Sequence, residues 1–565
     1  MIDRTSSDVV IIGGVAAGPK TGAALARRAP NMKIVLFQRE PYISYGSCGM
    51  PYFASGDVPT FGELTRTSYG VERNPDFFRN TKGFDVLTGI EVVSIDRSGK
   101  TVVVKDIATG KSQTHGYGTL VIATGACPKP PPFPVEESPL VRFFTRPDDA
   151  ISFRKLAESG KIGSLVIVGG GYIGCELAEA ATVWGFDTTI IEREPQLLPK
   201  GFDKEIAVYA AKELDAGGIK VRTGSEVKRI FLEDGRPVVE LKDSSIGADF
   251  VFLCLGVRPE SGLARDCGLE IGEQGGILVD ERLRTSDTFI YAGGDCVEIR
   301  NLLTGERASF PLGSLANRHG RVIAENIAGN QARFRGASGA ALVKICNINM
   351  GCVGLSETFA AEAGISYECV WGAFPDKPDY YPESREIVLK MIYDPLDGRL
   401  LGLQAAGAGD ICRRIDVFSS MLQRDGRIDD LFDFEHGYAP PYSEAMDPLH
   451  HLASLARARS RGLKMLPPGA DSSLYEELIG NKFIWLDIRE GDKFEENRPG
   501  HYKPGNFIHI PLGELRAKIG GLDKNTSYVL MCGRGARSYQ AWSILQAAGF
   551  TRVYVAGAGI AGVCL

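Results

Sequence analysis

The sequence predicts an α/β protein of several domains, and three observations carry that prediction. A strand-like run that ends in a glycine turn and continues as a helix occurs twice, at residues 9–18 and again at 166–174. After residue 290 the chain repeats a strand, glycine and acid combination, so the second unit reads as inserted into the first. A Pro-Pro-Gly stretch at 467–469 then sets off a tail with its own strands at 483–486 and 528–531 and a helix at 538–548.

A chain of 565 residues is too long for one core, so several domains of ordinary size are expected. With 44% hydrophobic and 24% charged residues and a net charge of -6, it lacks the basic excess of a nucleic-acid binder. The first strand starts a few residues after Met1 with no basic and apolar leader before it, and no apolar run is long enough for a bilayer. The expectation is a soluble, cytoplasmic protein that engages no membrane. The 12 cysteines show no CxxC pair and no finger spacing, which argues against a disulfide framework and against a metal site.

The first unit opens with the apolar run Val9-Val10-Ile11-Ile12, and then Gly13, Gly14, Ala17 and Gly18 keep the turn small. Small residues there let backbone N–H groups approach a pyrophosphate at the positive end of the following helix, expected over residues 20–28. In the second unit Gly169, Gly171 and Gly174 complete GxGxxG, with Tyr172 and Ile173 between them and Glu176 on the helix. The next strand of that unit, 188–191, ends at Glu192. A carboxylate there accepts both ribose hydroxyls of NADH and repels the 2′-phosphate of NADPH, although the neighbouring Arg193 can offset that repulsion.

Two such units in one chain resemble the flavin-linked pyridine nucleotide-disulfide reductases, and two further segments match that superfamily. Leu120-Val121-Ile122-Ala123-Thr124-Gly125 looks like its strand closing on the flavin, and Tyr291-Ala292-Gly293-Gly294-Asp295 like its second FAD motif, whose acid binds the ribityl chain. The resemblance implies two Rossmann-like domains binding FAD and NADH, an α+β dimerisation domain and a homodimer. It places Arg39, Ser47, Pro311 and Leu312 among the FAD contacts and Gly256 among the remaining nucleotide contacts. One departure stands out: the superfamily's ribose-binding Glu at the end of the second strand is Gln38 here, an amide that can still bond hydroxyls.

Tyr42 to Tyr52 follow that strand in the region of the family's redox centre, and they hold one cysteine, Cys48, with Phe53 where a CxxxxC partner would fall. The pattern resembles the single-cysteine branch, the coenzyme A disulfide reductases and persulfide reductases, whose motif is Ser-Phe/Tyr-x-x-Cys. A lone thiolate can attack an external S–S bond and hold one half as a mixed disulfide. Tyr380-Tyr381-Pro382 and Tyr438-Ala439-Pro440-Pro441-Tyr442 resemble the segments that this branch brings from the partner subunit, which carries a catalytic role to Tyr380 and Tyr438. Coenzyme A contacts carry over to Arg27, Ser44, Ser47 and Asn317, with Lys20 as a further basic group, while the family's lysine after the second tyrosine segment is Met446.

In the tail, Cys532-Gly533-Arg534-Gly535-Ala536-Arg537 lies between a strand and a helix, so backbone N–H groups curl around the thiol and the helix N-terminus favours its anion. That loop resembles rhodaneses, as do Leu486-Asp487-Ile488-Arg489 and His501 to Gly505. It implies sulfur transfer through Cys532 with Arg537 beside it. The terminal Ala556-Gly557-Ala558-Gly559 departs from the usual Gly-Gly and Trp pattern, which predicts looser final packing.

The expected boundaries are 1–150 with 280–335 for the FAD domain, 151–279 for the NADH domain, 336–455 for the dimerisation domain, 456–472 for a linker and 473–565 for the rhodanese domain. The expected activity is NADH-dependent reduction of a thiol persulfide, polysulfide or coenzyme A disulfide, coupled to rhodanese sulfur transfer. Two alternatives stay open at this level: an NADH oxidase or peroxidase cycling Cys48 through a sulfenic acid, and a flavin-based redox-sensing binding protein. The residues do not choose between coenzyme A, glutathione persulfide and polysulfide.

Overall fold

A computed structural model describes residues 5–160, 163–469, 472–496, 498–500 and 502–563, so His501 of the tail motif lies outside the described residues. The chain divides into two compact units, Met1–Pro195 with Gly217–Ala337, and Gln196–Ala216 with Ser338–Leu565.

The first unit contains two nucleotide-type sheets. In one, Asp85–Thr88, Ile34–Gln38, Ser6–Ile12 and Ser112–Ile122 run side by side in parallel, and Thr101–Asp106 and Ile90–Asp96 extend the sheet antiparallel. Ile290–Ala292 returns to pair in parallel with Ser112–Ile122, so the intervening chain is an insertion. In the other, Lys220–Arg222, Asp187–Ile191, Ser164–Val168, Phe250–Leu253 and Val141–Phe143 are all parallel. Parallel strands are covered on both faces, which is why Val9–Ile12 and Val166–Val168 are continuous apolar runs with almost no exposure. Val141–Phe143 belongs to this second sheet, so the second nucleotide unit begins before residue 151.

In the second unit, Ala341–Ile345, Ile348–Gly354, Leu400–Gly407, Glu386–Tyr393 and Glu368–Pro375 form an antiparallel sheet. Residues 196–216, expected with the second nucleotide domain, group with this compact unit by their contacts. The reason is an ionic cluster: Lys390, with no exposed side-chain surface, pairs with Asp203 at 2.9 Å, Glu205 at 3.2 Å and Glu357 at 3.3 Å. Burial opposes the charge on Lys390, but Glu205 and Asp203 beside it raise its pKa and keep it protonated. Lys390→Met is expected to leave those acids unpaired at a cost of about 3–5 kcal/mol. Chemical denaturation of the full chain checks this, and an unchanged first transition would contradict it.

The linker expected over 456–472 is not one. Helix Pro448–Arg459 runs into it, and Lys464–Leu466 pairs in parallel with Val553–Ala556 as the edge strand of the C-terminal sheet. That sheet continues through Ser527–Met531, Phe483–Asp487 and Phe507–His509, all parallel. Pro-Pro-Gly is therefore a turn inside the tail domain. No helix among the described residues is long and apolar enough to cross a membrane.

Candidate active sites

The first glycine turn is shaped by a close approach. Gly13 sits at φ 103°, and a Cβ there would run into the Ala123 carbonyl of the neighbouring strand end, so only glycine fits. Helix Ala17–Arg28 follows, and Gln38, buried at the end of its strand, accepts the Gly14 N–H through Oε1 at 2.8 Å. Across the turn, Thr124 Oγ1 donates to the Glu260 carbonyl at 2.5 Å, and Gly125 accepts the Glu260 N–H at 2.9 Å. Leu312 caps helix Gly313–Ile327, and Pro311 before it is exposed. Arg39 is exposed and faces Glu91 at 3.8 Å and Glu40 at 4.0 Å.

Asp295 tests whether a flavin fits this cradle. Burial alone pushes its carboxyl up to about 6, and among the described residues no hydrogen bond relieves it. A half-buried carboxylate in that state suits hydroxyl donors, as the ribityl chain of FAD would supply. Behind it, His319 accepts the Gly294 N–H through Nδ1 at 3.1 Å, and burial lowers its pKa to about 4, so the ring stays neutral.

In the second unit Gly171 caps helix Tyr172–Val183, and the place a Cβ would occupy on Gly171 is open, which suits a pyrophosphate. Tyr172 and Ile173 are half-buried in the first turn of that helix, and Gly256 lies on the loop after strand Phe250–Leu253. Glu192 is buried and fixed through both oxygens, accepting Gly170 N–H at 2.7 Å and Glu194 N–H at 2.8 Å. Arg193 beside it is exposed, and its guanidinium pairs with Glu194 at 2.8 Å. Glu192→Ala is expected to narrow discrimination against NADPH, measured as the ratio of kcat/KM values, by about ten- to a hundredfold, the worth of hydrogen bonds to a charged group. An unchanged ratio would remove Glu192 from the specificity account.

Cys48 lies in the short 3₁₀ turn Ser47–Gly49, just ahead of helix Met50–Ser55, and is exposed. The turn hangs on the first nucleotide loop: Ser44, at φ 51°, donates its N–H to the Gly14 carbonyl at 2.7 Å. Arg73 Nη1 donates to the Ser44 carbonyl at 2.6 Å, and Nη2 donates to the Arg66 carbonyl. Protein packed around the sulfur raises the Cys48 pKa, the Ser47 hydroxyl opposes that rise, and the Glu176 and Asp295 charges add to it. Tyr52 donates to Glu176 Oε1 at 3.4 Å, and burial pushes Glu176 up to about 7. The charges of Glu176 and Asp295 thus both act on Cys48.

Of these, Arg73, Tyr52, Glu176 and His319 escaped sequence reasoning as site residues. Glu176 was visible on the helix after the glycine motif, and Tyr52 four positions after Cys48. Arg73 carried no signal, because its part is to hold a turn 29 positions earlier. Among the proposed substrate contacts, Lys20 and Arg27 lie seven positions apart on one face of helix Ala17–Arg28. Asn317 is exposed on helix Gly313–Ile327, its amide bonded to the Gly313 carbonyl at 2.9 Å.

In the second unit Tyr380 and Tyr438 meet through their side chains and are both exposed, at 73% and 52%. The tail site is equally local. Cys532 ends strand Ser527–Met531 with its Sγ accepting the Gly535 N–H at 3.0 Å, and helix Ala536–Ala547 starts next, with Arg537 in its first turn beside Gly533. Asp487 and Arg489 pair in the core at 2.8 Å, joined by Tyr502 at 3.1 Å, so this motif is a framework rather than a reactive group. The terminal segment is not loose: Ile560 N–H bonds the Cys532 carbonyl at 2.8 Å and Ala561 N–H the Gly533 carbonyl at 3.1 Å. Among the described residues no group of three or more His, Cys, Asp or Glu is arranged to hold a metal.

Residues 7–319 match the pyridine nucleotide-disulphide oxidoreductase family, 340–450 its dimerisation domain, and 471–564 the rhodanese-like domain. The chain belongs to the pyridine nucleotide-disulphide oxidoreductase family. As an oxidoreductase of this family it carries the family's FAD and NAD(P)H chemistry, with a rhodanese-like domain at its C-terminal side. It is 34% identical to an NAD(P)H sulfur oxidoreductase (CoA-dependent) of Pyrococcus abyssi over 80% of this chain and 99% of that protein. An NADH oxidase of Methanocaldococcus jannaschii is 31% identical over 78% of this chain and 96% of its own length. The structure of an NAD-dependent persulfide reductase from A. fulgidus superimposes with a TM-score of 0.91 at 35% identity, covering 98% of this chain and 99% of that one.

Proposed function

We propose that this oxidoreductase is a cytoplasmic, homodimeric reductase that uses NADH and FAD to reduce thiol persulfides, polysulfides or coenzyme A disulfide, with Cys532 passing sulfane sulfur to or from a carrier thiol. The observation that carries this reading is an exposed cysteine, Cys48, in electrostatic reach of a carboxyl poised near neutrality, on the same chain as a second, cradled cysteine in a rhodanese loop. The similarity to the CoA-dependent sulfur oxidoreductase and to the persulfide reductase supports the substrate class.

Gly13, Gly14, Gln38, Asp295 and the Thr124 turn would hold FAD, which when bound passes two electrons from NADH to sulfur. Cys48 attacks the S–S bond as a thiolate and keeps one half of the substrate, and the other half leaves as thiolate or hydrosulfide. Glu176, titrating near 7, holds a proton at its carboxyl that it can return to a sulfur anion, and Tyr52 orients it. Tyr380 and Tyr438 stabilise the departing thiolate. Overall, one persulfide, one NADH and one proton give one thiol, one hydrogen sulfide and NAD⁺. Lys20, Arg27, Ser44, Ser47 and Asn317 would bind coenzyme A, with Arg537 and the Cys532 loop holding the persulfide anion.

Anaerobic NADH oxidation compared across coenzyme A persulfide, glutathione persulfide, coenzyme A disulfide and polysulfide tests the reading. Fast turnover with at least one of these is expected. Oxidation that requires air and ignores all four would instead support an NADH oxidase, the reading favoured by the M. jannaschii relative.

Tyr380, Tyr438, Tyr442 and Met446 are all exposed, an apolar set in the segments that the family seats at the other subunit. Light scattering at assay concentration is expected to give twice the chain mass of 61.1 kDa. A fully active monomer would contradict that assembly.

A further inference from the structure

Arg534 stands two residues after Cys532 in the sulfur-carrying loop, yet its guanidinium is engaged outside that loop. Nη1 donates to both carboxylate oxygens of Asp379 at 2.9 Å, and Nε donates to Glu386 at 2.8 Å. The Arg534 carbonyl accepts the Ala373 N–H at 3.3 Å. Ala373 and Glu386 lie on the paired strands Glu368–Pro375 and Glu386–Tyr393, and Asp379 precedes Tyr380 in the loop between them.

That loop is a fixed body rather than a loose tip. Asp376, buried, accepts the Arg385 N–H at 2.8 Å and the Asp410 N–H at 3.0 Å, and inside the loop Tyr381 N–H bonds Pro378 at 2.8 Å and Ser384 N–H bonds Tyr381 at 2.9 Å. An exposed one-to-one ion pair contributes little. Here a planar fork spans two acids on a rigid hairpin, with a backbone bond beside it, and such an arrangement sets geometry as well as charge. Glu444 adds a third acid whose charge Arg534 also balances.

We propose that Arg534 is a positioning residue that seats the Cys532 loop beside the Tyr380–Tyr438 pair, so that sulfane sulfur on Cys532 is handed to its acceptor thiol next to those tyrosines. The proposal rests on the reading above, in which Cys532 carries sulfur destined for reduction at Cys48. In the transfer, the acceptor thiolate attacks the outer sulfur of the Cys532 persulfide. The new S–S bond forms on the acceptor, the old one breaks, the transferred sulfur keeps its negative charge, and Cys532 leaves as thiolate.

The test uses the full-length FAD-loaded enzyme and the variant Asp379→Asn/Glu386→Gln, which keeps every residue of the Cys532 loop. Cys532 is loaded with sulfur from thiosulfate, excess donor is removed, and sulfide release is followed over one turnover after adding coenzyme A and NADH. The variant is expected to release sulfide about tenfold more slowly, in line with what misplacement costs a positioned reaction. Thiosulfate-to-cyanide transfer and NADH oxidation with added coenzyme A persulfide should stay within about twofold. Unchanged sulfide release, or an equal loss in all three assays, overturns the proposal. Hydrogen exchange of amides 533–536 and 379–386 gives a readout independent of coupled flux. Both segments should exchange faster in the variant, and unchanged exchange overturns the clamp. Wild-type enzyme that runs both half-reactions but releases no sulfide from loaded Cys532 defeats the coupled reading instead.

Discussion

Cys48→Ser is expected to bind FAD with an unaltered absorption spectrum and to lose sulfur-acceptor reduction by several orders of magnitude. The contacts that shape the flavin cradle, Gly13 against Ala123 and Gly14 to Gln38, do not involve the Cys48 sulfur. Cys48 itself is exposed at a turn whose geometry is held by Ser44 and Arg73, so replacing sulfur with oxygen leaves the packing intact. A serine hydroxyl cannot cleave an S–S bond at neutral pH, and removing a nucleophile typically costs several orders of magnitude. Steady-state NADH oxidation with persulfide, beside a flavin spectrum, measures both halves of this expectation. Retention of more than about a tenth of the activity would sink it.

Cys532→Ser is expected to abolish thiosulfate sulfurtransfer while leaving reduction of a small free persulfide largely intact. The Cys532 sulfur is cradled by the Gly535 N–H, with Arg537 beside the loop, a setting for a persulfide anion rather than for electron exchange with a flavin. Parallel assays with a small persulfide and with protein-bound sulfane sulfur should therefore diverge, the second falling far more than the first. Equal loss in both would make the two domains one obligatory relay, and no loss in either would reduce the tail domain to a passenger.

Short-range patterns made much of this molecule legible. The glycine turns at Gly13 and Gly169, the acid at Asp295, the lone Cys48 and the Cys532 loop are each set by residues within about one turn of chain, so strand, turn and helix can be read directly. What escaped depends on partners distant in sequence. Tyr52 and Glu176 are 124 positions apart, Arg534 and Asp379 155, and neither pairing leaves a periodic trace. The stretch expected as a linker conceals its strand for a related reason. Lys464–Leu466 is a three-residue strand, too short to show alternation, and only its pairing with Val553–Ala556 identifies it. The grouping of helix Lys204–Ala216 with the second compact unit leaves no local trace either, because Lys390, which its acid Glu205 meets, lies 185 residues along the chain.

The central claim is that electrons from NADH end on a sulfane sulfur through Cys48, and the stoichiometry of sulfide release tests it most directly. Under anaerobic conditions with coenzyme A persulfide and limiting NADH, the atom balance requires one sulfide released for each NADH consumed, and Cys48→Ser should release none. NADH consumption without matching sulfide, or sulfide formation that continues in Cys48→Ser, would contradict the account.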